Sequence, residues 1–221
     1  MTVHFSQLIG TPVRDQYNRL VGRCTDVLAQ DLGRGAPLVC ALAIRGPRRE
    51  ERLIPAQQVG WIGSTVVLTS TVPSEYIAQG DEIWLRRHIL DRQIVDVEGH
   101  QLVRVNDIQL IRRDDGRYLV ASVAVGGASL LRRLGLGKLS SLSERLGAAV
   151  PERYIPWSQV AAIQPDAPIR LRVGRAKLKQ INAADIADIV EELDRPSGVA
   201  LLELLDDEAA ADAIAEVQED L

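Results

Sequence analysis

Cysteine is scarce: the 221 residues hold two, Cys24 and Cys40, each inside an apolar segment and neither in a Cys-x-x-Cys pair. That spacing supports neither a disulfide framework nor a zinc site, so both thiols are expected to be free and buried. Long apolar runs are missing too. The longest, Leu38 to Ile44, has seven residues, where a membrane-spanning helix needs about 20, and no span is expected. The opening residues Met1 to Ser6 combine no basic region with an apolar one in the secretory manner, which makes the cytoplasm the expected location. Aromatic residues are 4 % of the chain and none follows Trp157, so the C-terminal part has to pack through Ala, Leu, Ile and Val. That part also lacks positive charge. Residues 183–221 hold 13 Asp and Glu against one basic residue, Arg195, a net −12, whereas residues 1–182 hold 25 basic and 17 acidic residues, a net +8. The whole-chain charge of −4 therefore conceals a break in composition near residue 182.

What the chain does have is an internal repeat. Residues Leu8 to Val21 align 81 positions later with Ile89 to Leu102, Arg23 to Val27 with Arg104 to Ile108, and Leu38 to Gly46 with Leu119 to Gly127. The offset then becomes 101, matching Arg52 to Ile62 with Arg153 to Ile163, so the second copy carries a 20-residue insertion. Within each copy, short runs of Val, Ile and Leu alternate with turn residues such as Gln16-Tyr17-Asn18, Glu98-Gly99 and Asp114-Asp115-Gly116. These are strands joined by hairpins, and Asp115-Gly116 is the strongest turn because both residues tolerate positive φ. Five or six strands in about 75 residues suit a small curved barrel that closes its own edges. The expected fold is mainly β with a C-terminal α part: two small β-barrels in tandem, then short helices. The expected domains are 1–80, 81–174 with an insertion near 128–147, and 175–221.

The signature Leu8-Ile9-Gly10 through Asp15, then Leu20-Val21-Gly22, Asp26-Val27, Leu53-Ile54-Pro55 and Gln58-Val59, resembles a PRC-barrel domain. Its second copy carries Tyr154-Ile155-Pro156-Trp157 and Gln159-Val160. The family includes the cytoplasmic part of the photosynthetic reaction-centre H subunit and the C-terminal domain of the ribosome maturation factor RimM. The resemblance implies a non-catalytic module that docks on other macromolecules.

From Asn182 the period changes. Ile186, Ile189, Val190 and Leu193 form one apolar stripe with Asp185, Asp188 and Glu192 on another face, and Asn182 is placed to cap an amphipathic helix. Pro196 starts a second helix bearing Leu201, Leu202, Leu204 and Leu205. Asp206-Asp207-Glu208 opens a third, with Ala210, Ile214, Val217 and Leu221 as its stripe. The run from Asn182 to Leu193, with Ala200 to Leu205 and Glu208 to Ala210, resembles the start of the N-terminal domain of MgtE-type magnesium transporters. That resemblance implies a superhelix of acidic helices that senses magnesium beside a pair of CBS domains. The family domain is longer, so the chain is expected to be part of a longer protein.

Magnesium takes oxygen ligands and keeps several waters, so one or two carboxylates suffice. Asp185 with Asp188, and Asp206 with Asp207 and Glu208, are the candidate metal residues; a solvated face or dipole partner explains them equally well. Mg2+ is the one ion expected, with no organic cofactor. Arg45, Arg48, Arg49 and Arg52 form a basic loop, and Arg132 and Arg133 lie in the insertion; these are the candidate partner-binding residues. The paired carboxylates Asp26/Asp107 and Asp15/Asp96 occupy matching repeat positions and are expected to bond turns. His4, His88 and His100 have no ligand spacing, and no catalytic residue is proposed. The expected function is a non-enzymatic regulatory or adaptor protein linked to magnesium sensing or transport, partnered by a protein or the rest of a longer chain. An RNA- or ribosome-associated module, or a purely structural docking subunit, is the alternative.

Overall fold

A computed structural model describes residues 1–32, 35–96, 98, 101–126, 153–162, 181–193, 195–203 and 205–219. The first copy runs through strand β1 (Thr2–His4), the short helix α1 (Phe5–Leu8), β2 (Pro12–Arg14), β3 (Leu20–Gln30), β4 (Leu38–Arg45), β5 (Glu51–Pro55), β6 (Val59–Ile62) and β7 (Val66–Leu68). The second runs through β8 (Ile83–Trp84), a wide helical turn (Leu85–Ile89), β9 (Gln93–Asp96), β10 (Gln101–Arg104), β11 (Asp107–Arg112), β12 (Tyr118–Val125), β13 (Arg153–Pro156) and β14 (Val160–Ala162). Helices α2 (Ala183–Glu192), α3 (Arg195–Leu202) and α4 (Asp207–Glu219) follow.

The repeat is visible bond by bond. Gly10 N–H donates to Cys24 O at 2.8 Å, and Asp91 N–H to Val105 O at 2.9 Å; Cys24 N–H donates to Thr11 O, and Val105 N–H to Arg92 O. Gly10 and Asp91 both take positive φ, 79° and 64°. The Asp114-Asp115-Gly116 turn closes the β11–β12 hairpin as expected, with Gly116 at φ 83° and Arg113 N–H on Arg117 O at 2.8 Å.

The two copies do not, however, make two separate barrels. Eleven strands form one mixed, nearly closed, barrel-like sheet in the order β1-β11-β12-β4-β3-β2-β7-β6, with β13 on β12, β5 on β4 and β8 on β3; β10-β9-β14 is a second, smaller sheet. The opening segments are exchanged. Strand β1 of the first copy pairs with β11 of the second (Val3 opposite Leu110, His4 opposite Gln109), and β8 of the second pairs with β3 of the first (Ile83 opposite Ala29, Trp84 opposite Leu28). These registers are equivalent under the repeat, with Val3 and His4 matching Ile83 and Trp84 at an offset of 80 and the extra residue of the wide turn restoring 81 from Leu8 onward. The seam between copies pairs Leu38 with Leu119, the same repeat position in each, which places a local two-fold relation there.

Burial explains why exchange is the stable solution. Phe5 and Leu85, the first residues of the two helical turns, are both fully buried, and one apolar cluster runs from Val3, Phe5 and Leu8 through Ile83 and Leu85 to Ile155 and Trp157. Fully burying a side chain of this size contributes about 1.5–3 kcal/mol, so each copy's core depends on the other's opening segment. The helices pack separately: Ile181, Ile186, Ile189, Leu201, Leu205 and Ala213 gather around Val95. Asn182 caps α2, accepting from Asp185 N–H at 2.8 Å, as the sequence indicates. In α4 the expected stripe holds at Ala210 and is corrected at Ile214, and its last member, Leu221, lies outside the described residues. Ala213 is its buried residue, with Ala209 and Ala210 packed beside it, while Ile214 stays 44 % exposed because the helix docks through its small side chains.

Candidate functional site

Asp26 and Asp107 each cap the other copy's helical turn. Asp107 Oδ1 accepts from Ser6 N–H at 2.9 Å and its own neighbour Ile108 N–H at 2.8 Å. Asp26 Oδ1 accepts from Arg86 N–H and Val27 N–H, both at 2.8 Å. Asp26 and Asp107 therefore bond helix ends across the copies rather than turns within them. The second oxygens differ. Asp107 Oδ2 accepts from Ser6 Oγ at 2.7 Å and lies 3.4 Å from His4 Nδ1. Asp26 Oδ2 is buried without a hydrogen-bond partner, because the repeat places Arg86 where Ser6 stands and Trp84 where His4 stands. The Arg86 guanidinium turns instead to Thr25 O at 3.4 Å, and the Trp84 ring lies 3.9 Å beneath the Arg87 guanidinium.

This asymmetry separates the two carboxyls electrostatically. Burial pushes Asp26 up to about 6, against the pull of the Arg86 and Val27 N–H groups and of the charge and N–H of Arg87. Burial would also raise Asp107, but His4 and Ser6 outweigh it and hold this carboxyl below its ordinary value. A folded-state value above the unfolded one means that the native protein binds the Asp26 proton more tightly, so this group lowers stability as pH rises from about 4 to 6. The shift is worth about 3 kcal/mol. Asp26→Asn is thus expected to gain stability over the wild type at pH 7.5 and to lose that advantage at pH 4, as read by urea unfolding at both values; a pH-independent difference would contradict it.

Asp26 sits in the wall of a cleft of about 550 Å³ formed by both copies. Thr25, Arg45 and Glu51 come from β3, β4 and β5; Arg86, Arg87 and Leu90 come from the wide turn and its end, and Asp91, Arg92 and Arg104 from the following segment and β10. Five arginines face three carboxylates, a surplus of two positive charges when all are ionised. Arg87 pairs with Glu51 at 3.1 Å. Arg86, Arg92 and Arg104 each spend one bond on a backbone carbonyl, of Thr25, Arg87 (3.3 Å) and Asp91 (3.1 Å) respectively. Each of those bonds uses one of the five N–H donors that a guanidinium carries. A second hollow of about 340 Å³, walled by Ile9, Leu20 and Pro47, shares Thr25, Arg45 and Arg86 with the first.

Of the basic residues singled out in the sequence that fall among the described residues, Arg45 lines the cleft and Arg48, Arg49 and Arg52 do not. Arg48 and Arg49 occupy the exposed β4–β5 turn, Arg49 at φ 67°, and Arg52 reaches Pro73 O at 3.5 Å. Arg132 and Arg133, with the rest of the 128–147 insertion, fall outside the described residues. The sequence reading missed Arg86, Arg87, Arg92 and Arg104; their signal was present in the Arg86-Arg87-His88 run and in the match of Arg104 to Arg23, which bonds Gly10 O as Arg104 bonds Asp91 O.

Of the acidic candidates, Asp185, Asp206, Asp207 and Glu208 stand at helix N-termini and Asp188 lies in the middle of α2. Asp185 Oδ2 accepts from Asn182 Nδ2 at 2.9 Å, Asp206 Oδ1 from Ala209 N–H at 3.1 Å, and Asp207 and Glu208 are exposed in the first turn of α4; Asp188 is exposed on α2. Among the described residues, no three His, Cys, Asp or Glu side chains converge as a metal site. Asp15 organises the β2–β3 turn, accepting from Tyr17 N–H, Arg19 N–H and Arg19 Nε, while buried Asp96 pairs with Arg153. His4 and His88 lie on different segments: His88 Nδ1 accepts from Trp84 N–H at 3.2 Å, and His100 falls outside the described residues. Both Cys24 and Cys40 are free thiols, and burial pushes Cys24 up to about 12, which makes it inert. Among the described residues no helix is long and apolar enough to cross a membrane. The chain matches no protein-family model and no curated protein.

Proposed function

We propose that this is a non-enzymatic, cytoplasmic regulatory or adaptor protein linked to magnesium sensing or transport. Its docking body is a pair of PRC-barrel-like copies, each closed by the opening strand of the other. Its responsive part is the acidic helical unit, the beginning of an MgtE-like domain that continues in a longer chain or meets a partner. The observation that carries this reading is the charge separation. Helices α2 to α4 and their joints expose Asp188, Glu191, Glu192, Glu203, Asp206, Asp207, Glu208, Asp212 and Glu216 with one arginine, Arg195, while an apolar cluster holds them to β9 and β10.

Carboxylates this dense repel one another, and a divalent cation relieves the repulsion from outside the first coordination shell without a preformed cage. Mg2+ then tightens the helical unit against the β body. Titrating the full chain with MgCl2 at constant ionic strength is expected to raise the melting temperature and reduce the radius of the helical unit in solution scattering. Equal responses to Mg2+ and to matched NaCl would reject the magnesium link and leave a plain docking protein.

A further inference from the structure

We propose that the arginine-lined cleft at the junction of the two copies is a binding site for a diphosphate group, carried free or as part of a small molecule. The site is independent of the magnesium reading. Its wall is almost wholly charged: among the ten lining residues only Thr25 and Leu90 carry no ionisable group, and no aromatic ring offers a base a stacking face. A phosphate chain suits such a wall better than a nucleobase or an apolar group does. Planar guanidiniums bond phosphate oxygens in pairs, and Arg86, Arg92 and Arg104 are already aimed by one backbone bond each. Arg45 adds a fourth guanidinium from the first copy. The volume, about 550 Å³, exceeds what a single phosphate fills and accommodates two linked phosphates with a small substituent.

Asp26 supplies the second, independent observation. It is 2 % exposed, lines the cleft, and has an oxygen with no donor, whereas its repeat counterpart Asp107 is fully bonded by Ser6. A fold that satisfies this carboxylate in the second copy leaves it unsatisfied in the first, beside a cleft whose arginines come from both copies. An anion arriving among those arginines adds negative charge beside Asp26 and favours its protonated form, so binding takes up a proton. The neutral carboxyl then has an O–H to donate. The proton comes from solvent and returns there on release, and no covalent step is involved.

The test is calorimetric titration of the full chain, in chelator at 0.15 M salt, with pyrophosphate, orthophosphate, ADP, citrate and a glutamate-rich peptide as probes. Pyrophosphate is expected to bind about tenfold or more tightly than orthophosphate. ADP at the same strength identifies the diphosphate as the recognised group, and ADP weaker than pyrophosphate identifies the free ion. Arg45→Ala and Arg92→Ala, both exposed, are expected to weaken binding about tenfold each, while Arg48→Ala and Arg49→Ala on the neighbouring turn leave it unchanged. Asp26→Asn is expected to abolish the proton uptake, measured as the dependence of the binding heat on buffer ionisation. Equal losses in all four arginine variants mean nonspecific attraction and overturn the proposal. So does citrate or the acidic peptide binding more tightly than pyrophosphate, or no binding by any probe.

Discussion

Replacing Asp107 by alanine lowers the free energy of unfolding by about 3–5 kcal/mol at pH 7. Asp107 is fully buried, and its removal takes the acceptor from three donors, the part-buried N–H and hydroxyl of Ser6 and the buried N–H of Ile108. The same change at Asp26 strands two N–H groups but also removes an oxygen whose burial is uncompensated, so Asp26→Ala costs markedly less. The ranking is the test: urea unfolding of both variants should put Asp107→Ala well below Asp26→Ala, and equal losses would mean that the Ser6 hydroxyl bond contributes nothing. The pH dependence has a fixed sign. Asp107 is held below its ordinary value, so its contribution is complete above about pH 4 and fades as pH falls through the lowered folded value.

Phe5→Ala has a comparable effect, about 3–5 kcal/mol, through the cavity left by a fully buried ring. Where the damage appears matters more than its size. Helix α1 and strand β1 lie against β11, so hydrogen exchange should accelerate at Ile108 to Ile111, about a hundred residues from the substitution, more than at Arg23 to Val27 of the same copy. Two independent barrels would show the opposite, with loss of protection confined to the first copy. Removing residues 1–8 altogether should go further, because it unpairs β11, exposes Val3, Phe5 and Leu8 contacts and leaves Asp107 without Ser6 at once. The expected result is a chain without a cooperative unfolding transition.

The strands, the hairpin turns and the helical cap were legible because each depends on neighbours within a few residues. Asp115-Gly116 turns the chain wherever it stands, and Asn182 caps α2 through an amide three residues on. The repeat was legible from self-comparison alone, and it survives as paired hydrogen bonds at Gly10 and Asp91. The exchange was not. A strand such as Thr2–His4 shows the same alternation whether it pairs inside its own copy or across to β11, because the periodicity records burial and not the identity of the partner. The candidate site was lost for the same reason. Its arginines sit on three segments, and the sequence run Arg45, Arg48, Arg49, Arg52 that looked like a patch is divided by the β4–β5 turn, which sends Arg45 to the cleft and the others elsewhere.

Sequence by itself determined the hairpin strands and the C-terminal helices, the two-fold repetition, the free thiols and the division into a +8 body and a −12 tail, since composition and short-range geometry are sufficient for these, but not the helical turns Phe5–Leu8 and Leu85–Ile89. Only the tertiary structure decided which copy completes which core, and with it the meaning of Asp26. Matching positions in the two copies share a backbone role, but their surroundings are supplied by the other copy's opening segment. A serine there satisfies Asp107, and an arginine there leaves Asp26 with an empty oxygen in a cationic cleft.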